Sequence, residues 1–147
     1  MSDRTYTQQY TNCLEAVQFN LRFIGAGAAA VPTFVEGDGQ FVVSSGSGIA
    51  NATGTEWTMT RSSTGVLSLV SVNPWAGVYS ADGGLFLAAA DSTNTSGVQF
   101  TALPSQNSTT NVWTFAIGIY VAATLTDLAS TQSMWIQIVM RNQIGGP

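Results

Sequence analysis

Trp57-Thr58-Met59-Thr60-Arg61, the turn residues Ser62-Ser63-Thr64-Gly65, and Val66-Leu67-Ser68-Leu69-Val70 form the stretch on which the fold turns. Trp57, Met59 and Arg61 alternate with Thr58 and Thr60, which is the period of a β-strand with one covered face. Gly65 ends the short loop, where closing a hairpin calls for positive φ. The second run supplies the β-branched and aliphatic residues that favour pleated backbone. The two runs therefore read as a β-hairpin. Asn73, Pro74, Trp75, Ala76 and Gly77 mark its exit, since Pro74 removes a ladder donor and Gly77 permits a tight bend.

Working upstream, Val17, Phe19, Leu21 and Phe23 alternate with Gln18, Asn20 and Arg22, a second strand signal. Gly25 to Ala30 is small and flexible, and Pro32 prevents a helix from running through it. Val31 to Glu36 and Gln40 to Ser44 are joined by Gly37, Asp38 and Gly39, a composition suited to another hairpin. Ser45 to Thr55 reads as an exposed loop. Downstream, strands are expected at Leu85 to Ala90, Val98 to Leu103 and Val112 to Ala123, separated by Asp82-Gly83-Gly84, Asp91 to Gly97 and Pro104 to Asn111. Thr126 to Thr131 has room for one short helical turn. The last strand, Met134 to Arg141, puts Met134, Ile136, Ile138 and Met140 on one face and Trp135, Gln137, Val139 and Arg141 on the other, so both faces are expected to be covered. The sum is an all-β domain over residues 17–147, an antiparallel sandwich or barrel of eight or nine strands, preceded by an extended N-terminal arm over residues 1–16.

Composition narrows the function. Of 147 residues, 8% are charged and 45% hydrophobic, whereas soluble domains carry about 25% charged residues. Ser, Thr, Asn, Gln and Gly keep the surface wet, and such neutral groups are buried in a contact at far lower cost than unpaired ions. The cations are Arg4, Arg22, Arg61 and Arg141, with no lysine, against eight carboxylates. Without a basic stripe, nucleic-acid binding is not expected. No signal peptide is expected from the polar start, and the apolar stretch Val112 to Leu125 is shorter than the roughly 20 residues of a bilayer span. Neither a membrane nor a disulfide is expected, Cys13 being alone.

Chemistry finds few footholds. Histidine is absent, which removes the usual general base and the commonest zinc ligand, and there is no G-x-S-x-G elbow. A paired-carboxylate mechanism would draw on Glu36, Asp38, Glu56, Asp82, Asp91 and Asp127, but all except Glu56 fall in turn composition. Turn formation also explains the oxygens that a calcium site would borrow at Glu36, Asp38 and Asp82. No enzyme, metal or cofactor is expected. Tryptophans on a β-sandwich can form sugar-stacking platforms, but Trp57, Trp113 and Trp135 sit in apolar alternation and are expected to pack in the core or an interface, whereas Trp75, following Pro74 in a turn, is expected to be exposed. Arg61 has two readings, a cross-strand pair with a carboxylate or an interface anchor through its planar fork.

The segment Thr60-Arg61, Thr64-Gly65-Val66 and Asn73-Pro74-Trp75, with the upstream strand of Phe19, Leu21, Arg22 and Phe23 and the closing Arg141-Asn142, resembles the head decoration, or cement, proteins of tailed phages. About two dozen residues carry it closely, the rest of the chain loosely. The resemblance implies a β-sandwich or barrel, often trimeric, that is made in the host cytoplasm and binds the outer face of the virion where major capsid proteins meet. Its expected partners are therefore the major capsid protein and further copies of itself. Arg4, Tyr6 and Tyr10 in the arm, together with Arg61, Trp75 and Tyr79, are the candidate interface residues. The alternative reading is a receptor- or glycan-binding module with exposed aromatics near Trp75 and Tyr79.

Overall fold

The computed structural model describes residues 16–37, 51–53 and 57–141. Its strands are β1 (Ala16–Ile24), β2 (Thr33–Gly37), β3 (Asn51–Thr53), β4 (Trp57–Ser63), β5 (Val66–Ser71), β6 (Gly77–Phe86), β7 (Gly97–Phe100), β8 (Ser105–Gln106), β9 (Trp113–Val121), β10 (Thr124–Leu125) and β11 (Ser133–Arg141). They form a β-sandwich of two antiparallel sheets. One has the order β2-β1-β11-β6; the other has β10-β9-β5-β4-β3, with β7 and β8 also paired to β9. The strands beyond the expected eight or nine are segments of two or three residues.

Strict alternation places the core. Phe19, Leu21 and Phe23 of β1 and Met134, Ile136, Ile138 and Met140 of β11 face Trp57 and Met59 of β4, Leu67 and Leu69 of β5, and Phe115, Ile117 and Ile119 of β9. Each buried side chain of this size stabilises the fold by roughly 1.5–3 kcal/mol relative to exposure. The aromatic rings meet edge to face. Phe19 lies 5.2 Å from Trp57 and 5.5 Å from Trp75, and Trp57 lies 6.0 Å from Phe115. These are favoured quadrupole geometries. Trp57 brings a cost as well, because its buried Nε1 has no hydrogen-bond partner.

Several expectations shift. Asp82-Gly83-Gly84, read as a turn, lies inside β6, which starts at Gly77 and ends at Phe86, so residues 87–90 are not strand. Gly84 is there for space, since a Cβ at this position would sit 2.5 Å from Nε1 of Trp135. The loop expected over Ser45 to Thr55 contains β3, which pairs with β4. The Gln40 to Ser44 strand lies outside the described residues. Thr126 to Thr131 forms no helical turn. The strand expected over Val112 to Ala123 ends at Val121, because Ala122 and Ala123 both take positive φ (49° and 63°) and turn the chain from β9 into β10.

Candidate interaction surface

The two sheets leave one side of the sandwich partly open. β6 is the edge of its sheet, and the chain crosses over residues 87–96 to β7, the edge of the other. Near Gly83 this side is shut, because Val98 packs against the β6 backbone. Toward the start of β6 it opens into a groove of about 650 Å³. Val78, Tyr79, Ser80 and Ala81 form one wall; Phe100, Thr101, Ala102, Leu103 and Pro104 form the other, with Trp113 between them.

Local sequence explains both walls. The β6–β11 register shifts between Val139 and Met140, skipping Tyr79 and leaving it 54% exposed on the lip. β7 and β8 run along the same edge of β9, but Ala102, Leu103 and Pro104 interrupt the pairing. Pro104 cannot donate to a ladder, a usual means of spoiling an edge strand. Leu103 is consequently 90% exposed. Trp113 is held upright from behind, its Nε1 donating to the Trp75 carbonyl at 2.9 Å. Apart from the Tyr79 phenol, the lining contains no ionisable side chain, so the groove is uncharged and largely apolar.

A second surface is the outer face of the four-stranded sheet. There Trp135 covers Gly84 and, with Arg22, Phe86 and Ser133, borders a depression of about 570 Å³. Two residues along β11, Gln137 donates to Asn20 Oδ1 at 2.9 Å, as does Gln18. Asp82 is the cross-strand partner of Gln137.

The expected interface residues are scattered. Tyr79 lines the groove. Trp75, expected to be exposed, is half-buried, because Phe19 takes its ring into the core and its backbone accepts from Trp113. Arg61 lies at the opposite end of the sandwich, where its Nε and Nη2 each donate to Asp127 at 2.8 Å. It is thus paired with a carboxylate, one in the β10–β11 loop and not across strands as expected, and its side chain is 17% exposed. Arg4, Tyr6 and Tyr10 lie outside the described residues. Leu103, Phe100 and Phe86 were missed; the only signal for Leu103 was the Pro104 that follows it, which marks a broken edge.

Among the described residues the candidate carboxylates Asp82, Asp91 and Asp127 do not gather into one cluster, and Asp38, Glu56 and the Glu36 side chain lie outside the description. Asp127 accepts four hydrogen bonds: two from Arg61, one from the Gly65 N–H at 3.0 Å and one from the Ala29 N–H at 2.9 Å. The Arg61 fork, then these backbone donors, pull its carboxyl down to about 2 against the opposing effect of burial. Asp91 is held well below the usual carboxylate range by the Thr93 hydroxyl first, then by Ser96 and neighbouring N–H groups that it organises into a turn. Among the described residues, no three His, Cys, Asp or Glu side chains gather as metal ligands, and no helix is long and apolar enough to cross a membrane. Compared with known proteins, the chain matches no family model, no curated protein and no solved structure.

Proposed function

We propose that this chain is a non-enzymatic adhesive module that binds a larger protein shell and further copies of itself, in the manner of a tailed-phage head decoration protein. The uncharged groove supports this reading: Tyr79 and Leu103 stand on its lips at 54% and 90% exposure. Large apolar side chains held in the open beside a firm aromatic base are what a partner's surface covers. The chain's few charges fit the same use, since little must be desolvated when the surface is covered. Contacts repeated by the symmetry of a shell add up, so that weak single contacts stabilise the assembly as a whole.

The test is co-sedimentation of the purified protein with phage shells that lack it, followed by heating of the bound shells. Bound shells should resist a higher temperature than bare ones. A Tyr79→Ser, Leu103→Ser double variant should bind roughly tenfold more weakly while unfolding at the same temperature as the parent. Absence of binding to any shell, or equal binding by the variant, overturns the reading.

A further inference from the structure

We propose that the outer face of the four-stranded sheet, centred on Trp135, is a binding site for a pyranose of a neutral oligosaccharide. The inference does not rest on shell binding; it stands on a different face from the groove. Inward neighbours Met134 and Ile136 are fully buried, so alternation turns Trp135 outward. Covering Gly84 explains one side of the indole. It does not explain why the ring also borders an open depression in which Phe86 stands 57% exposed and Arg22 forms the far rim.

The neighbouring row supplies the polar half of a sugar site. Gln18 and Gln137 each spend an amide N–H on Asn20 Oδ1, which holds both side chains in place and leaves their carbonyl oxygens as acceptors. Across from Gln137, exposed Asp82 adds a carboxylate, one oxygen of which accepts from the Gly83 N–H at 2.8 Å. Gln137, Asn20 and Asp82 lie two residues along β11 from the indole, roughly 7 Å, on the side away from Ser133 and Phe86, so an oligosaccharide seated in the depression reaches them by crossing the indole. A pyranose presents this combination of demands, an apolar C–H face to stack on an aromatic ring and a rim of hydroxyls to pair with amides and carboxylates.

The same row argues against protein as the occupant. A protein surface laid here would have to match Asp82 and the amide row group for group, because buried polar atoms without partners are costly; sugar hydroxyls donate and accept and adapt to both. A polyanion is disfavoured by the net charge of −4 and by Asp82 itself.

The experiment is an array of neutral and acidic oligosaccharides probed with the full chain, followed by titration of the best neutral glycan against parent and variants. Binding to neutral glycans is expected. Trp135→Ala should weaken it by about tenfold or more. Gln137→Leu, which leaves the indole and the core in place, should weaken it by about fivefold, and thermal unfolding checks that each variant folds. Tyr79→Ser should bind like the parent, which separates this site from the shell-binding groove. The proposal is overturned if no glycan binds, if only acidic glycans bind, or if both site variants bind like the parent. It is equally overturned if Trp135→Ala only converts an oligomer to a monomer, for then the face is covered by a second copy.

Discussion

A single carboxylate, Asp127, joins three separate pieces of chain: the end of β4 through Arg61, the β4–β5 turn through Gly65, and the segment after β1 through Ala29. Gly65 is held to this arrangement twice over. Its φ is +67°, and a Cβ there would lie 2.4 Å from the Thr126 nitrogen. The Asp127 carboxyl titrates near 2 in the folded protein and near 3.9 in the unfolded chain. A depressed folded value means that the stabilisation is complete above about pH 4 and is lost as pH falls toward 2. Asp127→Asn should lower stability at pH 6 by roughly 1.5–3 kcal/mol and flatten the fall between pH 4 and 2, measured by urea unfolding across that range. An equal acid loss in the variant would show that other groups carry it. In the sequence both residues were visible, Arg61 as a cation in search of a carboxylate and Asp127 as a turn acid. Their pairing was not, because it spans 66 positions, and no local pattern records a contact at that range.

At the level of elements, strands with one clean apolar face were legible, and β1, β4, β5, β9 and β11 lie where alternation put them. The misread boundaries share a cause: residues chosen for a neighbour's sake look like punctuation. Gly84 in β6 makes room for Trp135 and so imitates a turn. The reverse holds at the β9–β10 turn, where Ala122 and Ala123 bend the chain without any Asn or Gly to announce it. Positive φ at both central residues defines the tight hairpin turn for which Asn-Gly is the favoured pair, and a Cβ in that region costs roughly 1–2 kcal/mol. The surroundings hold the turn in place: Ser96 Oγ accepts from the Ala122 N–H at 2.9 Å, and the Thr95 carbonyl accepts from Ala123 at 3.3 Å. Replacing Ala122 by Asn and Ala123 by Gly should therefore raise stability by about 1–2 kcal/mol, read as a melting temperature several degrees higher. A melting point that fails to rise would mean the present turn is relaxed.

Across the whole molecule, composition anticipated an exterior of neutral polar groups but not how it is divided. One edge of the sandwich gathers apolar side chains in a groove, and one outer face carries an indole with hydrogen-bonded amides two residues further along. That division depends on the sheet order and on the bulge at Tyr79, neither of which alternation specifies. Because the groove lining lacks charged side chains, binding through it should be nearly indifferent to salt. Affinity for shells is expected to change by less than about threefold between 0.05 and 0.5 M sodium chloride, whereas contacts between exposed charges would be strongly screened over that range. Sedimentation at the two concentrations decides the matter, and a steep loss at high salt would point to another surface.

The β1–β11 ladder has a practical corollary. Ala16 pairs with Arg141 and Ile24 with Ser133, so the first and last described residues lie side by side on adjacent strands at a single corner, far from the loops that Asp127 fastens. Labels attached at Ala16 and at Arg141 would sit next to each other at that one corner, and a short linker joining these two residues directly would close the described strands into a ring. New ends could then be cut into an exposed loop, with every strand left in its place.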